Sequence, residues 1–260
     1  MPDLYRIFDT VLSSEFPLPE LPLVTEENGS RVRYRDVLYA GRAHGSADRP
    51  KPGMTKGADG SGITVVMGEG NEAQFEGQGF EVAFEWPDYN GQAVCWCERK
   101  GDEYLYVFSA NTTFHITSDG VISCFLHEGS TMQMLRHLLL NQIIPRYLAT
   151  TGRLVLHASA VTLPSGKSVA FLGNSGFGKS TLASSFHRHG ATLINDDCIL
   201  LDFKAGRITA IGGLVGIRLF PDSITAVFNE ATGFTNYTPY TDKQQMFLKG
   251  QVGAELPEPS

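Results

Sequence analysis

The residues with the clearest chemistry lie in one glycine-rich segment. It consists of Gly173, Asn174, Ser175, Gly176, Phe177, Gly178, Lys179 and Ser180, with Thr181 directly after it. Two glycines separated by four residues and followed by lysine and a hydroxyl residue form a phosphate-binding pattern. Glycines let backbone amides converge on phosphate oxygens, Lys179 supplies positive charge, and the Ser180 hydroxyl can hold Mg²⁺. These residues predict a site for ATP and Mg²⁺, with GTP as an open alternative.

The sequence on both sides of this segment favours the same interpretation. The run Ser168–Leu172 predicts a buried strand, and the residues from Thr181 onwards predict an amphipathic helix. A strand, a glycine loop and a helix in this order are the context that the pattern requires. The helix would add its positive N-terminal end to the phosphate site. A chance match in an ordinary loop is therefore disfavoured.

A pair of carboxylates follows at the end of the next apolar run. Asp196 and Asp197 come directly after Leu193–Asn195, beyond a crossover helix of about ten residues. Parallel α/β sheets bind ligands beyond the carboxyl ends of their strands, so the aspartates and the glycine loop are expected to face one crevice. We predict Asp196 as the catalytic base, acting with Lys179, and Asp197 as a metal ligand. The reverse assignment of the two aspartates stays open.

His157 lies in a run, residues 153–161, that predicts one continuous strand. A short turn joins this strand to the one before the glycine loop. If Leu163 pairs with Ser168, His157 falls opposite Asn174 at the mouth of the loop, and a slip of one residue would turn it away. This register predicts an acid/base partner or a charge stabiliser, and the alternative is a structural histidine.

Three other residues in this half of the chain carry weaker signals. His187 and His189 are expected to end the helix after the glycine loop and to meet free backbone carbonyls. Arg218 is a candidate for binding a phosphate or an acceptor carboxylate, or it is an exposed strand arginine. The motif alone does not separate these alternatives.

Four features, in this order, closely resemble the HPr kinase/phosphorylase family and its smaller relatives. They are His157 in LHASAV, the loop GNSGFGKS, a short helix and INDD. The resemblance covers about residues 153–203. It implies an HPr-kinase-like, PEP-carboxykinase-like α/β domain in which Lys179 and Ser180 bind ATP and Mg²⁺. It also implies that one aspartate is the base toward a serine hydroxyl, while the other and His157 support metal or phosphate.

The N-terminal segment YRIFDTVLSSEFPLPELP, taken with GRLVLHASAV, resembles the HPr-kinase-like proteins found with lasso-peptide biosynthesis. This resemblance implies an ATP-dependent serine kinase whose acceptor is the C-terminal serine of a lasso precursor peptide. A kinase of an HPr-like carrier protein and a nucleotide-sensing regulatory module are the alternatives. In place of the glycine-rich EIRG-like segment of the regulatory enzymes, the chain has only a loose match at Gly212–Pro221, so phosphorylase activity is not predicted.

Two domains are expected, in an α/β chain that is α+β overall. Residues 1–129 predict an antiparallel β-rich domain that positions the acceptor, and residues 130–260 predict the phosphate-loop kinase domain. The predicted strands are Leu4–Ser13, Arg31–Ala40, Gly62–Met67, Glu81–Trp86, Ala93–Glu98, Glu103–Ser109, Phe114–Thr117 and Val121–Leu126, the last two joined by a hairpin turn at Ser118–Gly120. Exposed loops are predicted at Phe16–Pro22 and Gly45–Gly62, a helix capped by Ser130 or Thr131 at Met132–Tyr147, and a disordered tail at Gly250–Ser260.

Composition limits the partners of this chain of 260 residues. The formal net charge is −7 and no dense basic run is present, so nucleic acid is not an expected partner. Arg31, Arg33 and Arg35 predict a solvated strand face rather than a docking site for an acidic peptide. No apolar run is long enough to span a membrane and no secretory signal is recognisable, so a cytoplasmic protein with four reduced, half-buried cysteines is expected. Assembly as a homo-oligomer stays open.

Overall fold

The computed structural model describes residues 2–24, 62–70, 72–87, 91–109, 111–204, 207–214, 216–229, 233–236 and 241–248. These residues form a mixed α/β fold, as the sequence predicts. The chain divides into two units, Met1–Leu139 and Leu140–Ser260, so the division falls after the predicted boundary at residue 129. The predictions for Arg31–Ala40 with its three arginines, for the loop 45–61 and for the tail 250–260 lie outside the described residues. Among the described residues, no helix has the length and apolar character needed to cross a membrane.

An eight-stranded mixed sheet makes up most of the N-terminal unit. Its strands are β1 (Asp3–Ile7), β2 (Thr10–Ser14), β3 (Gly62–Met67), β4 (Glu81–Pro87), β5 (Ala93–Lys100), β6 (Glu103–Phe108), β7 (Thr112–Ile116) and β8 (Val121–Leu126), with a 3₁₀ turn at Glu72–Phe75. The strand order is β1-β2-β3-β8-β7-β6-β5-β4. The predicted hairpin of β7 and β8 is confirmed, and Gly120 in its turn has a φ of 87°.

Three features of this unit differ from the predictions. The sheet is not purely antiparallel, because β3 pairs in parallel with both β2 and β8. Alternating patterns do not encode strand direction, and the long connection between β2 and β3 permits a parallel pair. The predicted single strand Leu4–Ser13 is a hairpin that turns at Phe8, whose φ is 54°.

The segment Phe16–Pro22 is irregular as predicted but only partly exposed, because Pro17 and Pro19 face solvent and the apolar residues beside them do not. Phe16, Leu18 and Leu21 are buried, and the Leu18 N–H donates to the Tyr5 hydroxyl at 3.1 Å. Prolines without N–H groups need no strand partner here, which lets the apolar residues between them reach the core.

None of the four cysteines forms a disulfide, and all four are buried rather than half-buried as predicted. Burial is the main reason that the pKa of the Cys198 thiol is raised to about 12, and the negative charge of Asp197 adds to the effect. A thiol with so high a pKa remains protonated and weakly reactive at neutral pH.

The predicted helix Met132–Tyr147 is present with an interruption. The Thr131 hydroxyl oxygen caps it by accepting a hydrogen bond from the Met134 N–H at 3.2 Å. Helix α1 spans Met132–Leu138, a π-helical turn spans Leu139–Ile143, and α2 spans Ile144–Thr150. The π-helical turn ends two residues before Pro145, whose missing N–H breaks the regular α-helical ladder.

Three small antiparallel sheets and two helices form the rest of the C-terminal unit. The strands are β9 (Leu154–Leu156), β10 (Ala158–Thr162), β11 (Ser168–Leu172), β12 (Thr192–Asn195), β13 (Ile199–Lys204), β14 (Arg207–Gly212), β15 (Gly216–Leu219), β16 (Thr235–Asn236) and β17 (Gln244–Phe247), and the helices are α3 (Lys179–Arg188) and α4 (Pro221–Phe228). The sheet orders are β11-β10-β12, β14-β13-β9 and β15-β17-β16.

One apolar cluster of this unit joins its helices to two of its sheets. Its buried members are Val161, Ala183, Ala191, Leu193, Ile217, Leu219 and Ile224. Because they come from β10, α3, β12, β15 and α4, their packing fixes the helix after the glycine loop against the strand that leads to the aspartates.

Candidate functional site

Three strands bring the glycine loop and the aspartates to one edge of a sheet. Strand β11 leads into the loop, β12 leads into the aspartates, and each pairs antiparallel with β10, which lies between them. Two strands that are both antiparallel to a third run in the same direction. The carboxyl ends of β11 and β12 therefore lie at the same end of the sheet. The prediction of a parallel sheet is therefore wrong for the pairings, although the direction of the two strands agrees with it.

Strand β11 is a partly exposed edge strand and not the buried strand that was predicted. Ser168, Ala170 and Leu172 are exposed, while Val169 and Phe171 pack against the apolar cluster around Val161. An edge strand has a neighbouring strand on only one side, and one of its two faces can remain in solvent. The apolar composition of this strand therefore does not require that both faces be buried. The predicted order of strand, loop and helix is nevertheless present.

In the glycine loop, the lysine is turned inward. Lys179 Nζ donates to the carbonyl oxygens of Gly173 and Asn174 at 2.9 and 3.0 Å, and the residue is only 8% exposed. Gly178 directly precedes α3 with a φ of 76°, which a residue with a side chain adopts only with strain. Phe177 is 77% exposed, so this aromatic ring does not contribute to the core.

The residues after Lys179 connect α3 to its surroundings. The Thr181 hydroxyl lies 3.3 Å from the Ser223 hydroxyl of α4, and the Ser180 hydroxyl is near enough to Asp196 to lower the pKa of that carboxyl. The hydroxyl that the sequence assigned to Mg²⁺ is therefore in contact with one specific aspartate.

Asp196 is a buried carboxylate with a donor on each oxygen. Ser159 Oγ donates to Oδ1 at 2.5 Å, and the Arg218 N–H donates to Oδ2 at 3.1 Å. Burial raises its pKa from 3.8 to about 6, and the charge of Asp197 adds to this increase, while Ser159, the Arg218 N–H and the nearby Ser180 hydroxyl oppose it. Asp196 is thus held in place but is costly to ionise.

Asp197 has a different environment although it is the next residue. Its Oδ2 accepts a hydrogen bond from Arg218 Nη1 at 3.0 Å, and its side chain is 18% exposed. Among the described residues, nothing donates to Oδ1 of Asp197. Its φ of 72° is left-handed, a conformation that aspartate tolerates better than most residues. The Asn195 amide closes the turn by donating to the Cys198 carbonyl oxygen.

Arg218 therefore contacts both aspartates, through different groups. Strand β15 lies at the edge of its sheet, and its outward N–H at Arg218 binds Asp196 instead of another strand. The guanidinium binds Asp197, and the side chain is 11% exposed. This excludes the exposed strand arginine among the alternatives for Arg218.

His157 lies at a junction between two sheets, which corrects the prediction of one strand over residues 153–161. Leu156 pairs with Ile199 in one sheet, whereas Ala158 pairs with Leu172 in another. The hairpin register also differs by one residue from the predicted Leu163–Ser168 pair, because Thr162 pairs with Ser168. His157 therefore belongs to neither ladder, and the predicted pairing with Asn174 is not formed.

The position of His157 along the backbone still relates it to the site. It directly follows Leu156, which pairs with Ile199 just beyond the aspartates. It directly precedes Ala158, which pairs with Leu172 just before the glycine loop. Its side chain is exposed and makes no hydrogen bond or ion pair within the described part of the chain. Its catalytic role stays a prediction.

The other two histidines behave as the sequence predicts. His189 Nδ1 lies 2.7 Å from the Ser185 carbonyl oxygen at the end of α3, and His187 Nδ1 lies 3.0 Å from the Ala191 carbonyl oxygen. Neither belongs to a metal-binding group, and no group of three or more such ligands occurs among the described residues.

Sequence reasoning missed three residues at this site. Ser159 was not singled out, although a serine in an otherwise apolar strand is a usable signal. Gly212 of β14 lies against β12 so closely that a Cβ there would meet the Ile194 carbonyl oxygen at 2.2 Å. Gln245 of β17 pairs with Arg218, and only the fold reveals this proximity.

No protein-family model matches this chain, and no curated protein matches it either. What the site does must therefore be argued from its own residues. The loop offers backbone N–H donors at a helix N-terminus, Ser180 and Asp196 offer hard oxygen atoms, and Asp197 offers a carboxylate oxygen without a donor among the described residues.

Proposed function

We propose that this chain is an ATP-dependent serine kinase of the HPr-kinase-like type, acting on a serine of a peptide or small protein. In this proposal the acceptor is the C-terminal serine of a lasso precursor peptide. The observation that carries the proposal is the contact of Ser180 with Asp196, which joins the end of the phosphate loop to the carboxylate pair. A loop that only bound phosphate would not need two aspartates and an arginine at the same edge.

The phosphates of ATP would lie on the loop 173–178 at the N-terminus of α3. Backbone N–H groups of the loop and the positive end of the helix favour bound phosphate oxygens. Lys179 Nζ already lies inside the loop on two carbonyl oxygens, and phosphate oxygens would replace these as stronger, charged acceptors. Lys179 would then neutralise the phosphates between which the bond breaks.

Ser180 and Asp196 fit Mg²⁺, because a hydroxyl and a carboxylate are hard oxygen ligands. Mg²⁺ is usually held by one or two protein oxygens, with water and phosphate completing the octahedron. When bound, Mg²⁺ neutralises charge on the β- and γ-phosphate oxygens. Ser159 and the Arg218 N–H hold Asp196 in its orientation toward Ser180.

The contacts favour the reverse of the aspartate roles that the sequence first indicated. Both carboxylate oxygens of Asp196 accept a hydrogen bond, and the residue is 6% exposed. Asp197 is more exposed and keeps Oδ1 without a donor in the described part of the chain. Geometry decides before pKa which group can reach a substrate proton. We therefore assign Asp196 to the metal and Asp197 to the acceptor hydroxyl.

Transfer of the γ-phosphoryl group to the serine hydroxyl would then take place in one step. The serine Oγ attacks the γ-phosphorus, and a new oxygen–phosphorus bond forms. The bond from the γ-phosphorus to the oxygen that bridges to the β-phosphate breaks, and ADP leaves with that electron pair. The hydroxyl proton passes to Asp197 as the new bond forms, because serine is too weak an acid to ionise beforehand.

His157 is assigned a supporting role in this proposal. Its backbone lies between the segment before the loop and the segment after the aspartates, so its imidazole can stabilise charge at the γ-phosphate. We expect His157→Asn to lower kcat less than substitution of Asp197 does, because no bond is made or broken at the imidazole.

Mass spectrometry of a serine-ending peptide incubated with ATP and Mg²⁺ tests the function. The expected product carries one added phosphoryl group. Asp197→Asn is expected to lower kcat about 100-fold or more and to leave the ATP-induced rise in Tm intact. Asp196→Asn is expected to raise the Mg²⁺ concentration needed for that rise, and Asp242→Asn, an exposed aspartate of the same unit, is the control.

Three other experimental outcomes would change this proposal. If Asp196→Asn lost only kcat and Asp197→Asn only the Mg²⁺ response, the two roles would be exchanged. Phosphorylation of an HPr-like carrier protein alone would keep the kinase and change its acceptor. ATP binding without acceptor-dependent consumption of ATP in single-turnover assays would replace the kinase with a nucleotide sensor.

A further inference from the structure

Arg218 has hydrogen-bonding capacity that the described residues do not use. Its guanidinium makes one side-chain contact to the described residues, from Nη1 to Asp197 Oδ2 at 3.0 Å. A guanidinium carries five N–H donors in a planar fork, so most of them are left over. The side chain is only 11% exposed, which limits how far water can hydrate these donors. A cation in this state favours an anionic partner that arrives with a ligand.

Gln245 lies next to Arg218 and carries a hydrogen-bond acceptor that no described residue uses. Its Oε1 is buried and has no hydrogen-bond partner among the described residues, and the residue is 3% exposed. Such an oxygen costs about 1–3 kcal/mol relative to a bonded one. Gln245 pairs with Arg218 across β15 and β17, and the outward N–H of Arg218 makes this a non-hydrogen-bonded pair. In such pairs the two Cβ atoms lie about 4.5–5.5 Å apart on the same face of the sheet.

Gly216, two residues before Arg218 on β15 and paired with Phe247, leaves space for the Gln245 amide. A Cβ at Gly216 would come within 3.1 Å of Gln245 Nε2. The terminal torsion of glutamine is soft, so the amide can turn its oxygen toward a donor. Arg218 thus joins the two groups, because its guanidinium binds Asp197, the carboxylate assigned to the acceptor hydroxyl, and its strand partner is Gln245.

A ligand that satisfies both residues must bring a carboxylate and an N–H together. A phosphate group would occupy Arg218 but would offer Gln245 no donor at neutral pH. The α-carboxylate and the adjacent N–H of a serine satisfy both, and they share one Cα with the hydroxymethyl group. We infer that Arg218 and Gln245 form the subsite that binds the α-carboxylate and α-N–H of the acceptor serine. This inference rests on the proposed kinase function.

The subsite explains how an internal serine would be rejected. An internal serine has an amide in place of the carboxylate, so Arg218 would lose its charged partner while the contact to Gln245 remained. A terminal serine and free serine share the recognised chemistry. A peptide that ends in serine can make additional contacts through its other residues, which free serine lacks. These contacts distinguish the two acceptors.

Binding measured without transfer tests the subsite directly. A labelled peptide ending in serine is titrated by fluorescence anisotropy with ADP and Mg²⁺ present, as the free acid and as the C-terminal amide. We expect the acid to bind at least about tenfold more tightly, in line with a charge-assisted hydrogen bond pair. Arg218→Gln is expected to remove this preference, and Arg218→Lys to keep part of it. Arg188→Gln, an exposed arginine at the end of α3, is expected to leave it unchanged.

Gln245→Leu provides a second, independent variant. It is expected to weaken binding of the acid and the amide alike, about three- to tenfold, because the α-N–H is present in both. It is also expected to raise Tm, since the buried oxygen without a partner is removed. A merely structural role of Gln245 would lower Tm and leave peptide binding unchanged.

Transfer assays separate the failure of the subsite from the failure of the kinase. Free serine, N-acetylserine and the peptide are compared as acceptors, and the peptide is expected to have the highest kcat/KM. Equal binding of acid and amide by the wild-type protein would overturn the subsite, whether or not transfer occurs. An acid preference that survives in Arg218→Gln would overturn it as well. Preferential binding of the acid with no transfer to any acceptor would overturn the kinase and leave the subsite standing.

Discussion

The hydroxyl of Ser159 donates a hydrogen bond to Oδ1 of Asp196 across 2.5 Å, and both residues are buried. Ser159 belongs to β10, the strand that separates the loop strand from the aspartate strand. A serine of the central strand therefore sets the orientation of the carboxylate that faces Ser180. The contact is local to the sheet and needs no ligand to form.

Ser159→Ala is expected to weaken the response to Mg²⁺ and nucleotide while the fold is retained. Without this donor, Asp196 loses one of the groups that fix its rotamer and favour its ionised form. The Mg²⁺ concentration for half of the ATP-induced rise in Tm should increase about tenfold or more. Ser184→Ala removes a buried hydroxyl that binds the Ser180 carbonyl oxygen instead, and is the control. An equal effect of both variants would mean that Ser159 contributes only packing.

Lys179→Ala is expected to abolish the thermal response to ATP and to leave the unliganded protein folded. The two carbonyl oxygens that Lys179 binds belong to exposed loop residues, so water can replace the ammonium group. In the wild-type protein, ATP at 100 times its Kd should stabilise the fold by about 2.7 kcal/mol. Differential scanning fluorimetry measures this, with Lys167→Ala, an exposed lysine of the β10–β11 turn, as the charge-matched control. An unchanged ATP response in Lys179→Ala would remove the nucleotide site from the loop.

Asp196→Asn is expected to change how stability depends on pH. The pKa of Asp196 is raised to about 6 in the folded protein, so between pH 4 and pH 6 the folded state binds more protons than the unfolded chain. The free energy of unfolding therefore falls as pH rises through that window, by on the order of 2 kcal/mol from this group. Urea unfolding in EDTA at several pH values should show that the variant lacks this fall.

The Asp242→Asn variant controls for the loss of one negative charge, since Asp242 is exposed in the same unit. It is expected to keep the wild-type pH dependence between pH 4 and pH 6. A wild-type curve that rises through this window, or an Asp196→Asn curve parallel to it, would contradict the assigned burial of the carboxylate.

Gly212→Ala is expected to damage both stability and the site. The added methyl group would meet the Ile194 carbonyl oxygen at 2.2 Å, and a backbone atom cannot move aside as a flexible side chain can. We expect a loss of about 2–4 kcal/mol of unfolding free energy, together with a weaker Mg²⁺ response, because Ile194 precedes the aspartates by two residues. Thr209→Ala on the same strand is the control. A neutral Gly212→Ala variant would show that β12 and β14 are not packed this closely.

Much of the site follows from local sequence patterns. The glycine loop is bounded by a strand and a helix as its flanking residues indicate, and β12 ends at the aspartates. The hairpin of β7 and β8 likewise follows from Asp119–Gly120. In each case the residues that determine the structure are neighbours in the sequence, so short-range patterns contain the information.

The remaining features depend on residues that are distant in sequence. Nothing near His157 indicates that the chain changes sheets there, because Leu154–Leu156 and Ala158–Thr162 are both strand-forming and differ only in their distant partners. The burial of Phe16 and Leu18 between prolines is likewise decided by the core that receives them. The two bonds from Arg218 to the aspartates arise because β15, some twenty residues later, places its free edge beside the end of β12. Pairing across such distances leaves no periodic signal.

The turn between β10 and β11 provides an attachment point for a reporter group. Pro164–Lys167 are exposed and lie at the end of the hairpin opposite the glycine loop, five paired residues away. At about 3.3 Å per residue, the turn is roughly 13 Å or more from the start of the loop. Exposed turns with small and polar residues tolerate insertion and labelling. A fluorophore coupled to a cysteine introduced at Ser165 would therefore sit on the same hairpin as the loop, so nucleotide titrations could be followed in the assembled protein without an attachment inside the site.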